Sequence, residues 1–178
     1  MSKARIFGLI VLEMVLLGTS ASLRAADEKR EKEVTNTIQQ FNKADEGMVK
    51  FFDGAAGYAV FPTVGKGAIG VGGAHGKGLV FEKGKLIGET SLTQVTVGLQ
   101  LGGQSYAEVV FFETAEALDA FKKGKFALSA QVSAVAAASG ASANAKYQLG
   151  VAVFTLAKSG LMYEASVGGQ KFKFKAIP

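Results

Sequence analysis

Seven glycines fall at positions 65, 67, 70, 72, 73, 76 and 78, in a stretch that is otherwise mostly small and apolar. The stretch reads Gly57-Tyr-Ala-Val-Phe-Pro-Thr-Val-Gly-Lys-Gly-Ala-Ile-Gly-Val-Gly-Gly-Ala-His-Gly-Lys-Gly-Leu-Val-Phe81. Glycine loses the most backbone freedom on folding, so such density in ordered chain needs a structural reason. The usual reasons are close backbone approach, a bulge or a sharp strand bend. A helix through this region is excluded, since each interior glycine costs about 1 kcal/mol relative to alanine. The segment therefore commits the chain to a sheet.

The pattern on either side agrees. Tyr58 to Phe61 reads as a short strand ended by Pro62, and Ala68–Val71 and Gly78–Glu82 as two strands joined through a Gly72–Lys77 hairpin connection. Lys83-Gly84-Lys85 is a second turn, leading into Leu86–Leu92. From Gln94 to Leu101 polar and apolar residues alternate, with Gln94, Thr96, Gly98 and Gln100 on one face and Val95, Val97, Leu99 and Leu101 on the other. Glu108–Phe112, Phe126–Val135, Gln148–Leu156, Met162–Val167 and Lys171–Lys175 read as further strands, with Ala136–Ala145 as a loop or loose strand. A single short helix interrupts them: Thr114 is a natural N-cap, Leu118 and Phe121 share a face, and Gly124 follows Lys122 and Lys123 as a stop. Residues 27–52 carry a helical period in Val34, Ile38 and Phe41, which Gly47 breaks or bends. That helix either packs by one stripe or lies on a membrane surface. The expected fold is α+β: a strongly curved, nearly closed antiparallel sheet of many short strands, with an N-terminal helix and one short mid-chain helix.

Residues 1–26 are set apart from the body at 27–178. Lys3 and Arg5 precede an apolar run from Ile6 to Leu17, and small residues follow, the pattern of an export signal cleaved after Ala25 or Ala26. The alternative is an N-terminal hydrophobic anchor that stays attached. The expected location is therefore exported, periplasmic or extracellular, with peripheral membrane association as a variant. There is no cysteine, which excludes disulfides, thiolate metal sites, a cysteine nucleophile and a lipidated N-terminal cysteine. Removing 1–26 takes three cations and one anion, lowering the formal charge from +5 to +3. So mild a balance permits an anionic partner without requiring one.

Motifs for catalysis and cofactors are weak. Gly65-Lys66-Gly67-Ala68-Ile69-Gly70 has the Gly-x-Gly-x-x-Gly spacing, but the glycines continue where a pyrophosphate-binding helix would have to begin. Ala74 to Gly78 is no P-loop, because Gly78 replaces the serine or threonine that would hold magnesium. His75, the only histidine, reads as an exposed turn residue, with Glu82, Glu89 and Glu108 as the carboxylates a fold could bring near it. No serine sits in a nucleophile elbow. No enzyme activity, cofactor, metal or nucleotide is expected. Nucleic acid is a poor partner given the mild charge and the absence of tryptophan. A transmembrane barrel suits the alternation at Gln94–Leu101, but not the mid-chain helix or the lysine-rich final strand.

The basic groups fall in two clusters. Lys66, Lys77, Lys83 and Lys85 lie in or beside glycine turns and are expected to share one rim of the sheet. Lys171, Lys173 and Lys175 alternate with Phe172 and Phe174, giving a final strand with a basic face and an aromatic face. One reading is edge-strand protection. The other is a surface for anionic headgroups, each lysine contributing roughly 1 kcal/mol near an acidic leaflet.

Gly57-Tyr-Ala-Val-Phe-Pro, Val64-Gly-Lys-Gly, Gly72-Gly-Ala-His-Gly-Lys-Gly, Gly98-Leu-Gln-Leu-Gly-Gly-Gln and the acidic-aromatic run Glu108–Glu113 together resemble the SYLF domain, in its exported bacterial branch. The resemblance spans about residues 42–174. It implies a compact domain of short strands and helices that binds lipid, with an amphipathic N-terminal helix assisting in eukaryotic members and actin binding in yeast members. The expected function is a non-enzymatic module of the bacterial cell envelope binding anionic phospholipid. The alternative is a structural or protein-interaction domain of the envelope.

Overall fold

The computed structural model describes residues 25–69, 71–97, 104–124, 126–128, 133–159 and 169–177. The chain divides into two compact units, Met1–Glu33 and Val34–Pro178. In the first, residues 25–33 are helical and carry ion pairs one turn apart, Arg30–Asp27 at 3.7 Å and Lys29–Glu33 at 4.0 Å.

The second unit is built on one seven-stranded sheet. Its strands are β1 (Gly57–Ile69), β2 (Val71–Glu82), β3 (Lys85–Val97), β4 (Gln104–Phe112), β5 (Ala134–Ala136), β6 (Val151–Ser159) and β7 (Lys171–Ala176). They lie in the order β5-β6-β4-β1-β2-β3-β7. All neighbours pair antiparallel except β5 and β6, which are parallel. The α+β class is as expected, but the nearly closed, strongly curved sheet is not: β5 and β7 end it as edges. The reason lies in strand length. β1, β2 and β3 run 13, 12 and 13 residues, so three long strands make a broad sheet where many short ones were expected.

The glycine run explains that length. Gly72–Lys77, expected to be a hairpin connection, lies inside β2, with His75 opposite Gly65 on one side and Thr93 on the other. The chain reverses instead between Ile69 and Val71, which pair directly. At Gly76 and Gly78 the reason for glycine is the close approach of β1. A Cβ on Gly78 would collide with the Val60 carbonyl oxygen and lie 2.9 Å from the Phe61 ring. The second expected turn is real: Lys83 (φ 48°) and Gly84 (φ 76°) form a tight two-residue hairpin that needs left-handed backbone at both positions.

Alternation along the strands separates two cores. Ala59, Phe61, Val80, Leu92, Val110, Phe112, Val153 and Phe172 bury one face. Tyr58, Val60, Leu79, Val109, Phe111, Ala152 and Phe154 bury the other. Helix α3 (Ala115–Lys122) caps the first face with Leu118 and Phe121. Thr114 caps it as expected, its Oγ1 accepting from the Ala117 N–H at 3.3 Å, and Gly124 (φ 65°) follows its end. The second face is covered by helix α1 (34–44), through Val34 and Phe41, and by α2 (Met48–Gly54). Rings pack tightly there, with Phe111 4.9 Å from Phe52 and 5.4 Å from Phe51.

The break between α1 and α2 falls at Asp45–Gly47, where the sequence places it. Asp45 is buried, and its two carboxylate oxygens accept from the Ser142 N–H at 2.6 Å and the Gly47 N–H at 3.0 Å. Ser142 belongs to a single 3-10 turn, Ala141–Asn144, so this carboxylate ties the helix break to the loop after β5. The Ser142 backbone hydrogen bond holds the Asp45 carboxyl below its usual range, against the opposing effect of burial.

One facing assignment is reversed. Gln94 was placed on the polar face of its strand, yet it is 3% exposed and follows Leu92 toward the α3 side, while Thr93 points to solvent. Residues 98–101 of that expected strand, and Met162–Val167, lie outside the described residues.

Candidate functional site

The face covered by α1 and α2 over β6, β4 and β1 stays apolar to Leu79, Phe81 and Leu86; beyond them, among the described residues, it is exposed at His75 and Lys77 of β2, Thr93 of β3 and Lys171, Lys173 and Lys175 of β7. Its registers bring polar groups into rows. Thr63, Lys77, Ser91 and Lys173 stand opposite one another across four strands. Gly65, His75, Thr93 and Lys171 form the next row, and Leu79, Glu89 and Lys175 a third. Strands lie about 4.8 Å apart and alternate residues about 7 Å along, so Lys77 and Lys173 sit roughly 10 Å apart. Lys158 on β6 reaches the same surface, its Nζ donating to Thr63 Oγ1 at 3.2 Å. All five lysines are exposed, as is His75. Glu89 is the only carboxylate in these rows, opposite Lys175.

This arrangement redistributes the lysines singled out by sequence. Lys77 joins Lys171, Lys173 and Lys175 on one face, which the sequence had put in two clusters. Lys83 and Lys85 are exposed at the far end of the β2–β3 hairpin, six and eight residues beyond Lys77. Lys66 pairs with Ala74 and Gln104 inside the sheet. The shared rim of Lys66, Lys77, Lys83 and Lys85 is therefore not formed, because Gly76 and its neighbours extend β2 where a turn was expected. Lys158 was missed. Its only sequence signal is an exposed lysine near the end of an apolar strand, and only the β6–β4–β1 order places it next to Thr63.

His75 sits mid-strand, not in a turn. Glu108 cannot serve it: Glu108 stands opposite Phe61 and is fully buried on the α3 side, accepting from Gln170 Nε2 at 3.0 Å. Tyr106 shares that interior. Burial pushes its hydroxyl well above the usual range, the Glu108 carboxylate adds to this, and Gln170 offsets part of it. Among the described residues no three histidine or acidic side chains are placed to hold a metal ion. Among the same residues no helix is long and apolar enough to cross a membrane.

Residues 93–176 match the Ysc84 family, described as Las17-binding protein actin regulator. The match takes in the last five residues of β3 and all of β4, α3, β5, β6 and β7. The chain is also 30% identical over 140 residues to beta cell expansion factor A of Aeromonas veronii, covering 78% of this chain and 52% of that protein. It thus spans about half the length of that relative.

Proposed function

We propose, from the match of residues 93–176 to the Ysc84 (SYLF) family, that this chain is a non-enzymatic module of the cell envelope that binds anionic phospholipid surfaces. The family's description names binding and actin regulation, not a reaction. The observation that carries the lipid reading is the bare face itself. Lys77, Lys158, Lys171, Lys173 and Lys175 share it with hydroxyl groups and a single carboxylate. With Glu89 offsetting one of them, four lysines at roughly 1 kcal/mol each supply ~4 kcal/mol near an acidic leaflet. That corresponds to about three powers of ten in partitioning.

Co-sedimentation of the full chain with phosphatidylcholine vesicles, with and without phosphatidylglycerol, tests this across a salt series. Binding should require the anionic lipid and fade as salt shortens the screening length from about 30 Å at 0.01 M to about 3 Å at 1 M. The double variant Lys77→Glu, Lys173→Glu should lose it. Equal binding to neutral vesicles would sink the electrostatic reading. A chain that binds neither vesicle would favour the second reading, a protein partner on the same face, which the family's Las17-binding description supports.

A further inference from the structure

Where β7 passes the end of α3, an open groove of about 730 Å³ runs along the sheet edge. That volume is typical of a small-molecule site. Its walls are of two kinds. Phe126, Phe172 and Phe174 supply aromatic surface, and Lys123, Lys171 and Lys173 supply charge. The aromatic wall is already braced: Phe126 lies 5.9 Å from Phe172 and 6.0 Å from Phe121, ring centre to ring centre. The charges are not equivalent. Lys122 also lines the groove, but it is held by Asp119 at 2.8 Å and Glu82 at 3.7 Å. Lys123, Lys171 and Lys173 have no such ion pair among the described residues, and all three are exposed.

We propose that this groove holds one molecule of an anionic single-chain amphiphile, its phosphate or carboxylate against Lys123, Lys171 and Lys173 and its chain along Phe126 and Phe174. The committed occupant is a lipid drawn from the membrane surface. Charge complementarity selects an anion, since no carboxylate is among the residues that line the groove, and Asp119 and Glu82 beside Lys122 offset only two of its four lysines. The adjoining rings select a chain over a bare headgroup. This deepens the lipid reading above by adding a stoichiometric site to a surface attraction. Lys171 and Lys173 serve both, Lys123 and Phe126 the groove alone, and Lys77 and Lys175 the face alone.

The test is calorimetric titration of the full chain with lysophosphatidic acid below its micelle concentration. Lysophosphatidylcholine of the same chain length and glycerol 3-phosphate are the controls. Saturation at one equivalent is expected for lysophosphatidic acid, with binding at least tenfold weaker for either control. Lys123→Glu, an exposed change with little risk to folding, should weaken it at least tenfold while leaving vesicle co-sedimentation within twofold. Lys77→Glu should do the reverse. Saturable binding that Lys123→Glu leaves unchanged would overturn the groove, as would binding without saturation or none at all. Absence of vesicle binding by the unaltered chain, with the one-to-one complex intact, would overturn the surface reading and leave the groove standing.

Discussion

Over β1, β4 and β6, one face of the sheet carries Tyr58, Val60, Val109, Phe111 and Phe154 and lies under two helices; over β2, β3 and β7, beyond the buried Leu79, the same face carries His75, Lys77, Ser91, Thr93 and three lysines and lies open among the described residues. The backbone pairing is continuous across the boundary, so hydrogen bonding does not distinguish the halves. Side-chain chemistry does. Apolar positions draw α1 and α2 over themselves because covering them removes hydrocarbon from water. The polar rows offer no such gain, and there the face stays available to a partner. The strongest way to break this contrast is to compare a truncation on each half. Phe111→Ala should cost ~3–5 kcal/mol, since its ring is fully buried against Phe51, Phe52 and Phe154. Lys77→Ala should stay within about 0.5 kcal/mol. Urea unfolding of both variants reads the difference. Comparable losses would mean that the open half is structural as well.

The covered half also depends on Asp45, which fastens the helix break to the 3-10 turn. Asp45→Asn keeps the shape but sets an amide where both oxygens accepted, and should lose roughly 1.5–3 kcal/mol at neutral pH. The sign of the pH effect follows from the lowered carboxyl. The unfolded chain takes up this proton near the usual value of about 3.9, and the folded chain only at lower pH. Asp45 thus stabilises fully above the unfolded value, and that contribution disappears as pH falls through the folded one. Urea midpoints at pH 7 and pH 3 should therefore converge between wild type and Asp45→Asn. A gap that stays constant with pH would show that the carboxylate's charge is not what matters.

Glycine sharpens the comparison within a single hairpin. Gly78→Ala should destabilise by ~1–3 kcal/mol, because the added methyl meets the Val60 carbonyl on the packed part of the β1–β2 pair. Gly65, opposite His75 beside the open half, has nothing within 4 Å of where a Cβ would stand, and its backbone is ordinary strand. Gly65→Ala should be neutral or stabilising by up to about 1 kcal/mol, through a less flexible unfolded chain. Thermal midpoints of the two variants should move in opposite directions or differ by several degrees.

These contrasts show what was legible in the sequence. Helix α3 was readable to its ends, because Thr114, Leu118, Phe121 and Gly124 are local signals and nothing distant overrides them. The helix break at Gly47 and the Lys83-Gly84 turn were readable for the same reason. The hairpin expected at Gly72–Lys77 failed because a glycine that permits a turn also permits close strand approach, and only β1 and β3 decide between them. Gln94 failed because alternation gives two faces without saying which is buried, and near Glu108 and Gln170 the interior is itself polar. The lysine face was half legible. Lys171, Lys173 and Lys175 announce a basic strand by their spacing, but their union with Lys77 and Lys158 depends on strand order, which no local pattern encodes.

The smallest predicted effect bears most directly on what the open half does. Glu89 is the only carboxylate in its three rows, and it stands opposite Lys175. If the face meets anionic lipid, Glu89 opposes binding by repelling the leaflet and by engaging a lysine. Glu89→Gln should then raise affinity for phosphatidylglycerol vesicles about fivefold, the equivalent of roughly 1 kcal/mol. Unfolding stability should move by no more than about 0.5 kcal/mol, since an exposed cross-strand charge pair contributes little. The gain should shrink with added salt, as for any exposed charge. A protein partner that reads the face by shape would respond differently, because removing a specific acceptor weakens a fitted contact. An affinity gain with vesicles and a loss with a protein partner would thus separate the two readings at a single residue.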